Sequence, residues 1–213
     1  VPGLQIQMLK TEVTQTLYKG VIGQNPSKYI GGEFPVEQVS WYDAIYFCNK
    51  LSMIMGLTPA YSVNGVTDPE KWNYTPHERD GVSGTVSCNY SVNGFRLPTE
   101  AEWEMAARGG VNGGWDYKYS GSNRTDDVAW YYYNSDYTHE VGKKQANTLG
   151  LYDMSGNVWE WCDNYYSSSS SYRTYRGGSI NSGSNDCEVS YRSYGYPYDR
   201  FGFLGFRVAC TAF

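Results

Sequence analysis

Two histidines and five cysteines limit what this 213-residue chain could catalyse or ligate. A histidine metal centre needs two or three imidazoles at short spacing, and His77 and His139 form neither H-x-x-x-H nor H-E-x-x-H. No G-x-S-x-G elbow supplies a serine nucleophile. Cys48, Cys88, Cys162, Cys187 and Cys210 contain no C-x-x-C pair, so most read as small buried hydrophobes, and one at least lacks an intrachain partner. Gly31-Gly32, Gly109-Gly110 and Gly177-Gly178 lack a P-loop lysine or a dinucleotide fingerprint and read as turns. One oxygen-ligand candidate remains, in which Asp153 and Glu160 flank a glycine turn and the backbone at Gly156 and Val158 completes a calcium site. The alternative is a purely structural turn with Trp159 and Trp161 in the core and Glu160 capping loop amides. No cofactor is required beyond that candidate calcium.

The tail has a different chemistry. Of the 40 residues from Asn164 to Phe203, 26 are Tyr, Ser, Gly or Asn, and no Lys, Gln, Met or Trp follows Asp163. These four types suit a binding surface, where tyrosine gives rigid amphipathic contact at low entropic cost and the small polar residues adapt their hydrogen bonds. An irregular loop region has the same composition, so composition leaves both readings open. The run Ser167 to Ser171 reads as a solvated loop tip.

Two segments are predicted as helices that could position such a surface. Ser40 caps one that runs to Gly56, with Asp43 at the third position and Ala44, Ile45, Phe47, Cys48 and Leu51 as its apolar stripe. Thr99 and Glu102 form the capping box of the other, which buries Trp103, Ala106 and Ala107 before Gly109. Short strands and long loops account for the rest, with turns at Asn64-Gly65, Asn93-Gly94 and Asn112-Gly113. The net charge of −5 and the absence of a basic run argue against nucleic acid. No apolar stretch is long enough to span a membrane. The start at Val1 leads us to expect a targeting segment ahead of it.

Motifs in order along the chain resemble the formylglycine-generating-enzyme (sulfatase-modifying factor) family. They include Glu12-Val13-Thr14-Gln15, Phe95-Arg96-Leu97-Pro98-Thr99-Glu100-Ala101-Glu102-Trp103-Glu104, Gly150-Leu151-Tyr152-Asp153, Gly156-Asn157-Val158-Trp159-Glu160-Trp161, Arg176-Gly177-Gly178-Ser179 and Gly205-Phe206-Arg207. The resemblance implies an α+β, C-type lectin-like fold of the formylglycine-generating-enzyme subtype, as one domain over residues 1–213. Copper-dependent members use two cysteines spaced C-x4-C after the Gly-Gly-Ser motif, and those places hold Ser182 and Cys187 here. One thiol and one hydroxyl do not reproduce a soft two-thiolate copper site. The chain is therefore expected not to be an enzyme, with a copper-dependent oxidoreductase as the alternative.

The tail is similar to the variable regions of diversity-generating retroelement proteins, whose randomised AAY codons never yield Lys, Gln, Glu, Met or Trp. Only Glu188 departs from that set after Ser179. This resemblance implies a variable ligand-binding region at about 179–204 on a monomeric, lipid-anchored cell-surface protein whose ligand is a protein. Asn181, Ser182, Ser184, Asn185, Asp186, Tyr191, Ser193, Tyr194, Tyr196, Tyr198, Asp199, Phe201 and Phe203 are expected to line the face, unless the alternation of Tyr194, Tyr196 and Tyr198 turns them inward. Arg192, Arg200 and Arg207 are expected to make framework hydrogen bonds to carbonyls or carboxylates. Calcium-dependent sugar binding of the lectin type lacks its Glu-Pro-Asn motif.

Overall fold

A computed structural model describes residues 1, 3, 5–113 and 116–212. The two chain ends meet in an antiparallel pair, β1 (Ile6–Met8) with β8 (Ala209–Thr211), so the tail is closed back onto the start of the chain. Helix α1 (Gln15–Ile22) was not expected. Thr14 caps it by accepting from Leu17 N–H, and Gly23 ends it at a φ of 94°, a left-handed conformation that costs glycine little. Helix α2 (Trp41–Ile54) and helix α3 (Glu100–Ala107) start at the expected caps, Ser40 with Asp43 and Thr99 with Glu102, each bonding in both directions.

A short hairpin, β2 (Tyr61–Val63) with β3 (Val86–Cys88), and a one-turn helix, α4 (Thr125–Val128), precede the main sheet. That sheet has four strands: β4 (Trp159–Tyr165), β5 (Arg173–Arg176), β6 (Arg192–Gly195) and β7 (Leu204–Gly205), in the spatial order β6-β5-β4-β7. β5 runs antiparallel to both β4 and β6, and β7 runs parallel to β4. Strand β4 is buried through Asp163 because both its faces are covered. Indole N–H groups join it to the start of α2: Trp41 donates to the carbonyl of Cys162 and Trp161 to that of Val39, both at 3.0 Å. Beneath them Tyr18 stacks on Phe47 at 5.3 Å, and Phe47 meets Phe206 edge-on at the same distance.

The turn expected to offer oxygens to a cation has a different partner. Glu160 is fully buried and grips Arg207, also fully buried, through two hydrogen bonds of 2.6 Å, while the Trp103 indole donates to the same carboxylate at 2.7 Å. The remaining guanidinium hydrogens reach the carbonyls of Leu9, Lys10 and Tyr152. Its charge therefore balances a guanidinium, and among the described residues no group of three or more His, Cys, Asp or Glu is arranged to hold a metal ion. Asp153 sits in the turn with one oxygen accepting from Gly142 N–H, and the backbone of Gly156 lies so close to Trp130 that an added Cβ would meet its carbonyl at 2.4 Å.

Removing one partner from such a pair leaves the other charge buried alone, which costs about 3–5 kcal/mol. Glu160→Gln is therefore expected to lower the melting temperature by on the order of 10 °C in thermal denaturation. Glu188→Gln, which loosens only a 3.7 Å surface contact with Lys118, is expected to leave it nearly unchanged.

Candidate functional site

Strand β6 and the turn after it expose alternate residues. Tyr194, Tyr196 and Tyr198 are 46%, 38% and 44% exposed, and between the first two sits Gly195, buried over Tyr175 and Trp161. An added Cβ at Gly195 would come within 3.1 Å of the Tyr175 ring, so the inward position is crowded and the tyrosines face out. The turn Tyr196-Pro197-Tyr198-Asp199 is locked by Asp199, whose carboxylate accepts from Tyr196 N–H at 2.8 Å. The Pro197 carbonyl then accepts from Trp41 N–H, and that of Phe201 from Gln38 N–H, fastening the turn to the entrance of α2.

The rings form a continuous ladder. Tyr166 meets Tyr194 at 4.5 Å, Tyr194 meets Tyr172 at 4.9 Å, Tyr172 meets Tyr196 at 4.5 Å, and Tyr196 stacks on Tyr198 at 5.0 Å. A groove of about 700 Å³ runs beside it, walled by Ser168 to Ser171 on one side and Tyr196 to Tyr198 on the other, with Tyr42, Tyr165 and Arg173 also lining it. The serine run is thus a wall of the groove and not merely a solvated tip. Sequence reasoning missed Tyr165, Tyr166, Tyr172 and this wall, because only the β4-β5 hairpin and the pairing of β5 with β6 bring them beside the tail.

The other expected face residues divide into three groups. Tyr191 is 41% exposed and leans on Trp159, and Phe201 stacks on the half-buried Phe203 at 5.4 Å. Asn181 and Asn185 are exposed, while Ser184, Asp186 and Ser193 are half-buried; Asp186 accepts from Gly183 N–H within the single-turn helix at Ser184–Cys187. Ser182 departs from expectation. It is buried, its hydroxyl accepting from Ser179 N–H and its carbonyl from Tyr132 N–H, so it shapes the loop and presents no hydroxyl to a ligand.

The arginines here are tied to carboxylates of the frame, although Arg192 stays exposed with its guanidinium over the Tyr166 ring at 4.4 Å. Arg192 meets Glu100 of α3, Arg200 meets the buried Asp43 of α2 at 2.8 Å, and Arg207 meets Glu160. Asp43 also accepts from Tyr74 O–H and from the backbone N–H groups of Ser40 and His77; burial raises its carboxyl, but the bond and charge of Arg200, the His77 ring and the Tyr74 bond bring it below the ordinary range. Cys187 is fully buried, and burial pushes its thiol up to about 12.

The arrangement offers aromatic faces, hydroxyls and one groove-lining cation. Residues 5–212 match the sulfatase-modifying factor enzyme 1-like domain. The chain belongs to this family. Chaperone protein LppX of Paenibacillus barcinonensis is 42% identical over 205 residues, covering 85% of this chain and 71% of LppX. The inactive C-alpha-formylglycine-generating enzyme 2 of Bos taurus is 37% identical over 136 residues, 56% of this chain and 45% of that protein, so the family includes inactive members. The solved structure of Treponema denticola variable protein 1 superposes with a TM-score of 0.86 at 39% identity, covering 97% of this chain and 84% of that one. The fold is accordingly the C-type lectin-like fold in its formylglycine-generating-enzyme form.

Glu37 lies beneath the Phe201-Gly202-Phe203 segment. One oxygen accepts from Tyr29 N–H, the other is buried without a partner, and burial pushes the carboxyl up to about 7. The folded state thus binds this proton more tightly than the unfolded chain, and the stability so gained is full below about 4.5 and lost as pH rises through 7. Glu37→Gln is expected to flatten the fall in melting temperature between those pH values. An unchanged slope would contradict the assignment.

Proposed function

We propose that this chain is a ligand-binding protein whose C-terminal aromatic face, diversified by a retroelement, recognises a protein ligand. One observation carries the reading: Tyr191, Tyr194, Tyr196, Tyr198 and Phe201 stand 38% to 46% exposed while the arginines among them are tied to framework carboxylates. Large rings held in the open by a fixed frame are the usual anchors of interface energy. Likeness to a protein titled a variable protein supports the same reading. The chain acts as a monomer on the cell surface, held there by a lipid anchor outside these residues. No helix among the described residues is long and apolar enough to cross a membrane.

In this reading the chain is not an enzyme. Copper oxidation of a thiol would need two soft ligands, and the two family positions hold a buried serine hydroxyl and a thiol kept protonated by burial. Cys187→Ser is expected to leave binding unchanged, and copper(I) titration is expected to show no stoichiometric uptake. Uptake that disappears in that variant would favour the oxidoreductase instead.

The proposal is tested by randomising the exposed face positions on a display platform and selecting against a panel of unrelated purified proteins, hen lysozyme among them. Binders whose changes are confined to the face and whose melting temperature stays near the parent's are expected. A library that yields only unfolded chains would overturn the proposal.

A further inference from the structure

A second cavity, of about 250 Å³, opens on the far side of Arg173 from the tyrosine groove, bounded by Trp41, Tyr61, Tyr90, Asp163 and Asn164. Arg173 and Tyr165 line both spaces. The guanidinium is sandwiched between the rings of Trp41 and Tyr165, each centroid 3.7 Å away, so its position is fixed before any ligand arrives. Its Nη1 donates to the carbonyl of Asp163 at 2.6 Å, and its Nε is buried with no partner.

The donors left in this cavity are those of Arg173 and Asn164. The Asp163 carboxylate accepts from the Tyr61 hydroxyl at 2.8 Å and from the Tyr90 hydroxyl, and both phenols are held protonated by burial and by Asp163 itself. Asn164, which also lines the cavity, accepts from Glu100 N–H through its side-chain oxygen at 2.6 Å and so keeps its amide N–H groups as donors. Arg173 is the one cation among the described residues lining either space, and in the cavity it is accompanied by Asp163, whose carboxylate already takes both phenol hydrogens. A buried, partnerless donor on a fixed guanidinium calls for an acceptor, and a planar anion matches the fork.

We propose that the Arg173 cavity is a carboxylate subsite of the binding face. It receives an acidic side chain or the C-terminal carboxylate of a protein laid along the tyrosine groove, and Asn164 adds a second donor. This rests on the reading of the face as a binding surface, yet it is testable without the protein ligand.

Three probes are titrated while the Trp41 indole and Arg173 Nε–H signals are followed by 15N-resolved NMR: N-acetyl-aspartate amide, N-acetyl-tyrosine and N-acetyl-tyrosine amide. Saturable shifts with one or both carboxylates in the millimolar range, and none with the neutral amide, are expected, and the stronger of the two acids tells whether a side chain or a chain end is preferred. Asn164→Ala, at an exposed position, is expected to weaken the carboxylate response roughly threefold or more. Arg173→Lys, read at the Trp41 indole alone, keeps the charge but loses the fork and is expected to weaken it roughly tenfold. No saturable shift with either acid, an equal response to the neutral amide, or full retention in both variants would overturn the subsite. Failure of the display selection with intact carboxylate binding would instead count against the face.

Discussion

Pairing between arginines and carboxylates from distant parts of the chain holds the rest of this structure in place. Helix α3 carries Glu100, Glu102 and Glu104, and they receive Arg176 and Arg192, Arg96, and Arg176 with Arg108, respectively. Asp43 receives Arg200 and Glu160 receives Arg207. The pairs differ in weight. Arg192 is partly exposed and its bond contributes little, whereas Arg207 with Glu160 and Arg200 with Asp43 involve buried charges, so losing either partner is costly. These bonds fix the tail while Tyr191, Tyr194, Tyr196 and Tyr198 stay exposed.

Local order was readable where the chemistry is local. The two capping boxes announced α2 and α3 because cap and acceptor lie three residues apart. Helix α1 has a comparable cap in Thr14 and a terminating Gly23, but eight residues give a short periodic pattern that is easily passed over. Arg192, Arg200 and Arg207 each meet a carboxylate, as a guanidinium recurring among small polar residues needs a fixed acceptor.

Long-range order was less readable. Nothing near Asp153 or Glu160 says that Arg207, 47 residues on, takes the carboxylate that a cation was expected to share. The serine run looked solvated because its flanking Tyr165, Tyr166 and Tyr172 acquire meaning only when β5 pairs with β6. Ser182 looked like its neighbours in type and is buried because its loop folds back onto Ser179. In each case the deciding partner lies in another part of the fold, and periodicity carries no information about it.

The same division is what the proposed binding role of this family member draws on. The thiol chemistry of the copper-dependent members would need an activated thiol, and here burial pushes the Cys187 thiol up to about 12. Binding needs only rings that are exposed and a frame that is indifferent to which rings they are. A saturation-mutagenesis library covering both sets of positions, sorted for folded chains by protease resistance, measures that indifference directly. Tyr191, Tyr194, Tyr196 and Tyr198 should tolerate most residues while Arg200, Arg207, Asp43 and Glu160 return almost unchanged; equal intolerance at the tyrosines, or free replacement of the arginines, would contradict it.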